Sequence, residues 1–591
     1  MLIKLWNHFS SRRQKQLIVM QIFAVIVSFF EMLSLGAVIP FLGVLADPQS
    51  VFDSGYLAIP ISYLGITESS QLVLPITFLF ILLTLLSAGF RLVALWMLTR
   101  ISQQAGADLS IKIYRNTLFQ DYAVHVARNS SEVINGIIVK TTTVTKGVIT
   151  PTLNLISTLI MMIGIITVLL LVNIYVTLTA FLSFGLLYLL VMYLTRKNLS
   201  ANSARIANKS DLMVKTLQEG LEGIREVLLN NNQLFYVKLY READLIMRQA
   251  TWRNEMIYSS PRFIMEASGI AIVALFAYFA TLQFGGLNEF LPILGVFVLG
   301  AQKLLPAIQK AYASYSRIKG AAYSLEDVVD LLDQPLPTYA DSLEHSVTPF
   351  NESIELKNIS FRYSNQSSWV LKNLNFKIPK GSVVGIIGST GCGKSTLLDL
   401  IMGLLQPTSG ELTVDGMPIS YENKKEWQAN ISCVPQDIYL SDGTIKENIA
   451  FGIPKEQINL SKVKIAAQKA QIEELIESWD DQFETMVGER GMRLSGGQRQ
   501  RIGLARALYR ESNVLILDEA TSALDNATEL AVMNSINSFN KNLTVIIIAH
   551  RLTTLKKCDM ILELGNNFQT KIMNYSEIIT LNTKPGDKNV K

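Results

Sequence analysis

Apolar positions fall in long unbroken runs in the first half of the chain and in short ones in the second. Six runs, at about 17–45, 72–98, 149–172, 175–194, 263–282 and 290–305, approach or exceed the length that crosses a bilayer as a helix. The third and fourth divide near Asn173. The polar segments between spans two and three and between spans four and five read as helices that prolong those spans. Their tips, around 122–130 and 230–235, are expected to present short turns to a cytoplasmic partner. Past residue 332 the pattern changes. Gln334-Pro335-Leu336-Pro337 breaks the helix, and a polar stretch runs to Glu352. Residues 353–363 alternate as a half-buried strand does, and compact apolar strands are expected at 383–387, 514–517 and 544–548. The expected organisation is an α-helical six-span transmembrane domain at 1–333, a linker at 334–352 and a soluble α/β domain at 353–591.

Composition agrees with membrane spans: 49% of residues are hydrophobic and only 17% are charged. Basic residues set the orientation. The loops 47–71 and 283–289 carry no Lys or Arg, whereas the long polar segments carry many. The positive-inside rule therefore puts those segments and both termini in the cytoplasm of a multi-pass inner-membrane protein. Residues 1–16, with Lys4, Arg12, Arg13, Lys15 and Trp6, read as an interfacial segment on that side. The net charge of +4 is spread along the chain and gives no reason to invoke nucleic acid. Three cysteines, Cys392, Cys433 and Cys558, suggest neither a disulfide framework nor a zinc site.

The candidate chemistry lies in the second half. Gly388-Ser389-Thr390-Gly391-Cys392-Gly393-Lys394-Ser395-Thr396 fits the phosphate-binding pattern G-x-x-x-x-G-K-[ST], between an expected strand and an expected helix. Glycines let backbone N–H groups turn inward around phosphate oxygens, and the helix N-terminus adds favourable potential. Lys394 reaches β- and γ-phosphates, and the Ser395 hydroxyl suits Mg²⁺. A second strand ends in Asp518-Glu519. Asp518 can hold Mg²⁺, and Glu519 can polarise a water that attacks the γ-phosphate.

Leu494-Ser495-Gly496-Gly497-Gln498 resembles the signature of ATP-binding-cassette (ABC) proteins. That resemblance implies ATP and Mg²⁺ as ligands, and a γ-phosphate held by the signature of the opposite subunit. It implies further roles: Gln436 in the Q-loop, touching Mg²⁺; Ser522 to Asp525 as the D-loop; His550 as the switch histidine; Tyr363 stacking on adenine. Gly488-Glu489-Arg490-Gly491 resembles the exporter X-loop. Taken singly, His550 and Tyr363 are ordinary surface or packing residues; their order and spacing carry the reading.

Six spans before one complete cassette resemble a type I ABC exporter half-transporter, which implies a dimer, with two intact sites favouring a homodimer. Ser28-Phe29-Phe30-Glu31, Pro40-Phe41, Pro261-Arg262 with Glu266, and Phe297 to Gly300 with Lys303 and Pro306 are similar to bacterial flippases of lipid-linked oligosaccharides. So is the outer loop 51–65, which resembles that family's short external helix. Arg91, Arg262, Lys303 and Lys310 are then candidates for a cationic path to an amphiphilic, anionic cargo. For Arg91, Arg262 and Lys310, snorkelling to the interface stands as an equal alternative; for Lys303 the cavity is favoured. Glu31 is a candidate partner of Lys303 at rest, and Glu266, four residues after Arg262, a candidate partner of that arginine. The expected function is ATP-driven export or flipping by alternating access. A lipid, drug or peptide exporter and an ATP-gated channel remain as alternatives.

Overall fold

The computed structural model describes residues 1–46, 48–53, 67–172, 174–283, 287–341, 347–364, 366–520, 525–537, 542–549, 551–565 and 568–578, and of Lys303 only the backbone. The chain divides into two compact units, Met1–Gln120 with Arg128–Leu336, and Asp121–Ala127 with Pro337–Lys591.

The first unit is helical. The Ser10 hydroxyl accepts from the Arg13 N–H and starts the helix Ser11–Gly36. Four longer helices follow: Val73–Leu118 (46 residues), Ile174–Glu222 (49), Gln233–Gln283 (51, with Pro261 inside) and Leu287–Gly320 (34). Thr150–Val172 precedes the second of these. Among the described residues three stretches, Ser11–Leu45, Ser69–Leu118 and Ser130–Leu171, are long and apolar enough to cross a membrane. The expected fourth to sixth spans fall on helices many of whose side chains lie outside the described residues, as does most of the expected outer helix at 51–65.

The polar extensions of the first unit have their own core. Leu98, Ile101, Ala105, Leu109 and Ile113 from one helix pack against Val144, Val148, Val328 and Leu332. Close approach depends on Gly106, where a Cβ would lie 2.3 Å from Thr145 Oγ1. Two π-helical turns, Gly136–Lys140 and Thr145–Ile149, interrupt this part of the chain. Lys140 is buried, yet it donates to Asp211 at 2.8 Å and to Asp327 at 2.7 Å, so its charge is paired across three helices.

The second unit carries two sheets. One is antiparallel, β2-β1-β4-β5, with β1 Ser353–Phe361, β2 Leu371–Pro379, β4 Ser409–Val414 and β5 Met417–Pro418. The other has the order β10-β9-β3-β8-β7-β6, with β3 Val383–Gly388, β6 Ile431–Val434, β7 Val514–Asp518, β8 Thr544–Ile548, β9 Met560–Leu564 and β10 Thr570–Met573. All neighbours in it are parallel except β9 and β10. Side chains alternate between two cores, as the pleat requires. Val514 and Ile516 join Ile546, Ile548 and helix Lys394–Ile401 on one face. Leu515 and Leu517 join Val545, Ile547 and helix Gly496–Tyr509 on the other.

Candidate functional site

Register decides where the candidate residues meet. Ile386 pairs with Ile548, Ile548 with Asp518, and Leu517 with Val434. The carboxyl ends of β3, β8, β7 and β6 are therefore level, and the chain leaves each at the same sheet edge. This is where open α/β sheets place ligands. Residues that are distant in sequence, 388–396, 436 and 518–519, thereby converge.

The loop after β3 needs its glycines. Gly391 and Gly393 have φ of +84° and +98°, in the left-handed region that favours glycine. Gly393 is the N-cap of helix Lys394–Ile401, so the helix N–H groups open toward the loop. Lys394 is buried, and its ammonium donates to the carbonyls of Gly388 (2.8 Å) and Ser389 (3.0 Å). Ser389, Thr390 and Ser395 are exposed beside it, and Cys392 is half-buried. The buried Thr396 hydroxyl lies 3.0 Å from Tyr363 Oη, so the exposed Tyr363 ring stands against the start of this helix.

Gln436 Nε2 donates to Glu519 Oε2 at 3.0 Å. Glu519 has φ of +50°, a left-handed conformation that costs a non-glycine residue about 1–3 kcal/mol and turns the chain sharply after Asp518. Two neighbours went unread in the sequence. Asp399, on the helix after the loop, is pushed up to about 6 by its burial and then by Asp518. Cys433 is pushed up to about 12 by burial, then by Asp518 and Asp399. These groups meet only through strand pairing and the packing of that helix on the sheet, and no local pattern announces them.

Ser495 and Gln498 form a reciprocal capping box. The Ser495 N–H donates to Gln498 Oε1 (2.7 Å), and the Gln498 N–H donates to Ser495 Oγ (3.3 Å). That box starts helix Gly496–Tyr509 and leaves Ser495 exposed, with Gly496 and Gly497 half-buried after it. Arg499 braces the turn through the carbonyls of Leu494 and Gly491. The Asp525 carboxylate accepts from the N–H and hydroxyl of Thr528, which holds its pKa below the usual range. His550 and Ser522 to Leu524 lie outside the described residues. Beside His550, Arg551 donates to the buried Glu529 at 2.9 Å, a pairing across 22 positions that sequence reasoning missed.

In the first unit, Arg91 and Lys310 line one cavity of about 620 Å³, together with Gln302, Asn154, Ser157 and Ser28. Glu31 is buried at 1% exposure, accepts from Ser87 Oγ at 2.6 Å and pairs with Arg91. Arg91, on the next long helix, is thus a partner of Glu31 that sequence reasoning missed; the expected partner Lys303 has its side chain outside the described residues. Arg262 is absent from the described lining. It pairs with Glu266 one helical turn on, at 2.7 Å, on an exposed face.

The family profile described as ABC transporter matches residues 371–522, and that of the ABC transporter transmembrane region matches 17–289. The chain is 28% identical over 390 residues to an ATP-dependent lipid A-core flippase of Alkalilimnicola ehrlichii, covering 64% of each chain. That match spans just under two thirds of the flippase's length. It is 30% identical over 414 residues to the uncharacterized ABC transporter ATP-binding protein YwjA of Bacillus subtilis, covering 68% of this chain and 70% of YwjA. A solved bacterial Atm1-family ABC exporter with ATP bound superposes with a TM-score of 0.77 at 22% identity, over 98% of this chain and 100% of that one, a likeness of fold. With both of its halves matched, the chain belongs to the ABC transporter family.

Proposed function

We propose that this protein is an ATP-driven translocase that moves a phosphate-bearing, amphiphilic lipid out of the cytoplasmic leaflet. In this reading it acts as a homodimer of the inner membrane with its nucleotide-binding unit in the cytoplasm. The observation that carries the reading is the convergence of the Gly388–Thr396 loop, Gln436, Asp518 and Glu519 at one sheet edge, in a chain that also holds membrane-length apolar helices.

The residues present fit Mg·ATP. Left-handed glycines and a helix N-terminus make an anion cradle, Lys394 supplies a cation, and Ser395 with Asp518 offers the oxygen donors Mg²⁺ prefers. When bound, Mg²⁺ neutralises charge on the phosphate oxygens. Lys394 holds the β- and γ-phosphates. Glu519 orients the attacking water and accepts its proton, while Gln436 fixes the Glu519 carboxylate. The Ser495–Gln498 turn presents an exposed hydroxyl and N–H groups to the nucleotide of the second copy, and Asp525, Tyr363 and His550 complete the site. Closure of the two nucleotide-binding units on ATP then drives the spans from inward- to outward-facing.

For cargo, Arg91 and Lys310 in a cavity with polar lining suit an anionic head group, a lipid-linked oligosaccharide first. The relative named as a lipid A-core flippase supports a lipid over a peptide or drug. The test is flipping in proteoliposomes with fluorescent lipid-linked glycan, with plain phospholipid as competitor. Cargo-stimulated ATP turnover with competition by glycan lipids alone supports the reading. Turnover indifferent to any lipid, with ATP-dependent ion conductance, replaces it by a channel.

A further inference from the structure

A second basic site lies apart from the cargo cavity, between the N-terminal segment His8–Val19 and helix Val73–Leu118. It is a groove of about 1300 Å³ lined by six cationic side chains, Arg12, Arg13, Lys15, Arg100, Lys112 and Arg115, against one carboxylate, Asp108. Two of the cations are built into its wall. Arg13 donates to Asp108 (2.8 Å), Gln16 and Gln104 (both 2.6 Å), which bridges the two helices. Lys112 donates to the His8 carbonyl at 3.1 Å, and His8 in turn bonds Asp333 behind the groove.

This bracing uses the one carboxylate in the lining. Among the described residues, Arg12 and Lys15 have no ion pair, and Arg100 has only the face of Trp96, 5.1 Å from the ring centroid. Cations held this close repel one another, so an anion among them is favoured electrostatically. The groove also has an apolar side: Val19, Trp96 and Ile111 are more than half exposed at 55%, 57% and 66%. Trp96 and Arg100 flank the end of the apolar stretch 72–98, which is where aromatic and basic residues meet lipid head groups. A soluble anion would have no use for that side; an amphiphile would.

We infer that this groove binds the phosphate of an anionic phospholipid of the cytoplasmic leaflet, with the phosphate among Arg12, Lys15 and Arg100 and an acyl chain along Val19 and Trp96. The leaflet rests on the orientation proposed above; the site itself does not depend on what the protein transports.

The test is lipid retention by the purified full-length protein, read as dioleoylphosphatidylglycerol bound per chain by native mass spectrometry across a titration. The triple variant Arg12→Gln/Lys15→Gln/Arg100→Gln is expected to bind about tenfold more weakly or worse. Arg196→Gln/Lys197→Gln, which removes exposed cations beside another expected span, is expected to bind like the unaltered protein. Arg12→Lys/Arg100→Lys keeps the charge and is expected to restore most of the retention, which separates lost binding from misfolding. Soluble glycerol 3-phosphate is expected not to displace the lipid. Equal retention by the triple variant, equal loss in the 196/197 variant, or displacement by glycerol 3-phosphate each overturns the inference. Flipping assays play no part, so failure here leaves the transport proposal standing.

Discussion

The Gln436 side chain donates to the Glu519 carboxylate at 3.0 Å, across the ends of two adjacent parallel strands. The bond fixes a carboxylate already held in the left-handed region by the chain itself. In the proposed chemistry it aims the base at the attacking water before any nucleotide arrives.

Glu519→Gln should bind ATP normally and lose turnover by about 100-fold or more, because an amide orients water without taking its proton. Gln436→Ala leaves the carboxylate in place but unaimed, and should cost less. Lys394→Ala should weaken ATP binding itself. Single-turnover hydrolysis beside nucleotide binding separates the three. Near-normal turnover in Glu519→Gln would falsify the base assignment.

The exposed Ser495 turn predicts a shared site. Mixing Lys394→Ala chains with Ser495→Arg chains gives heterodimers in which one of two composite sites is intact. ATP turnover should return, in proportion to the heterodimer fraction. Purified heterodimers as inactive as either parent argue that each chain works alone or that both sites must act together.

Glu31 is buried and Arg91 is its guanidinium partner. Arg91→Ala should destabilise the helical unit, since it removes a cation paired with a buried carboxylate. Adding Glu31→Gln to it should recover most of that loss. Thermal unfolding in detergent reads both, and a double variant no more stable than Arg91→Ala removes the pair from the account.

Lys310→Glu and Lys303→Glu should each lower the flipping of anionic lipid-linked cargo more than the corresponding Gln substitutions do, because repulsion adds to lost attraction. Arg in either place should retain part of the rate. Flipping and cargo-stimulated ATP turnover on one preparation give the measurement. Unaltered flipping in both Glu variants returns these lysines to a snorkelling role.

Thiol chemistry offers a check by pH. Burial pushes Cys433 and Cys558 up to about 12, with Asp518 and Asp399 adding to the first and Asp559 to the second. At pH 8 only about one thiol in ten thousand would be ionised at either position. Maleimide should therefore modify Cys433 and Cys558 only slowly at that pH, and ATP should protect Cys392 in the loop. Labelling at 433 and 558 should rise about tenfold per pH unit. Rapid labelling of Cys433 at pH 8, with no rise toward higher pH, contradicts the raised thiol pKa.

The nucleotide-site motifs were legible because each is contiguous: the loop 388–396, the pair 518–519 and the turn 494–498 each announce themselves within ten residues. Their convergence was not, since it depends on the strand order β9-β3-β8-β7-β6, which departs from chain order. Asp399 and Glu529 were missed for the same reason, as their neighbours arrive from other strands and helices. The family signature supplied the grouping that local pattern could not. In the helical unit the apolar runs gave the rods but not their rotation. Arg91 beside Glu31 therefore went unread, whereas the Arg262–Glu266 pair, four residues apart on one helix, was legible.

Helix Val73–Leu118, at 46 residues, is about 69 Å long, while a bilayer core takes up only about 30 Å. More than half of this rod therefore stands clear of the hydrocarbon. Pivoted where it leaves the bilayer, such a rod works as a lever with a long outer arm. A tilt of about 5° inside the membrane sweeps its far end through roughly 3 Å, the span of a hydrogen bond. The apolar core around Gly106 stiffens that arm, so the motion arrives at the tip rather than being lost in bending.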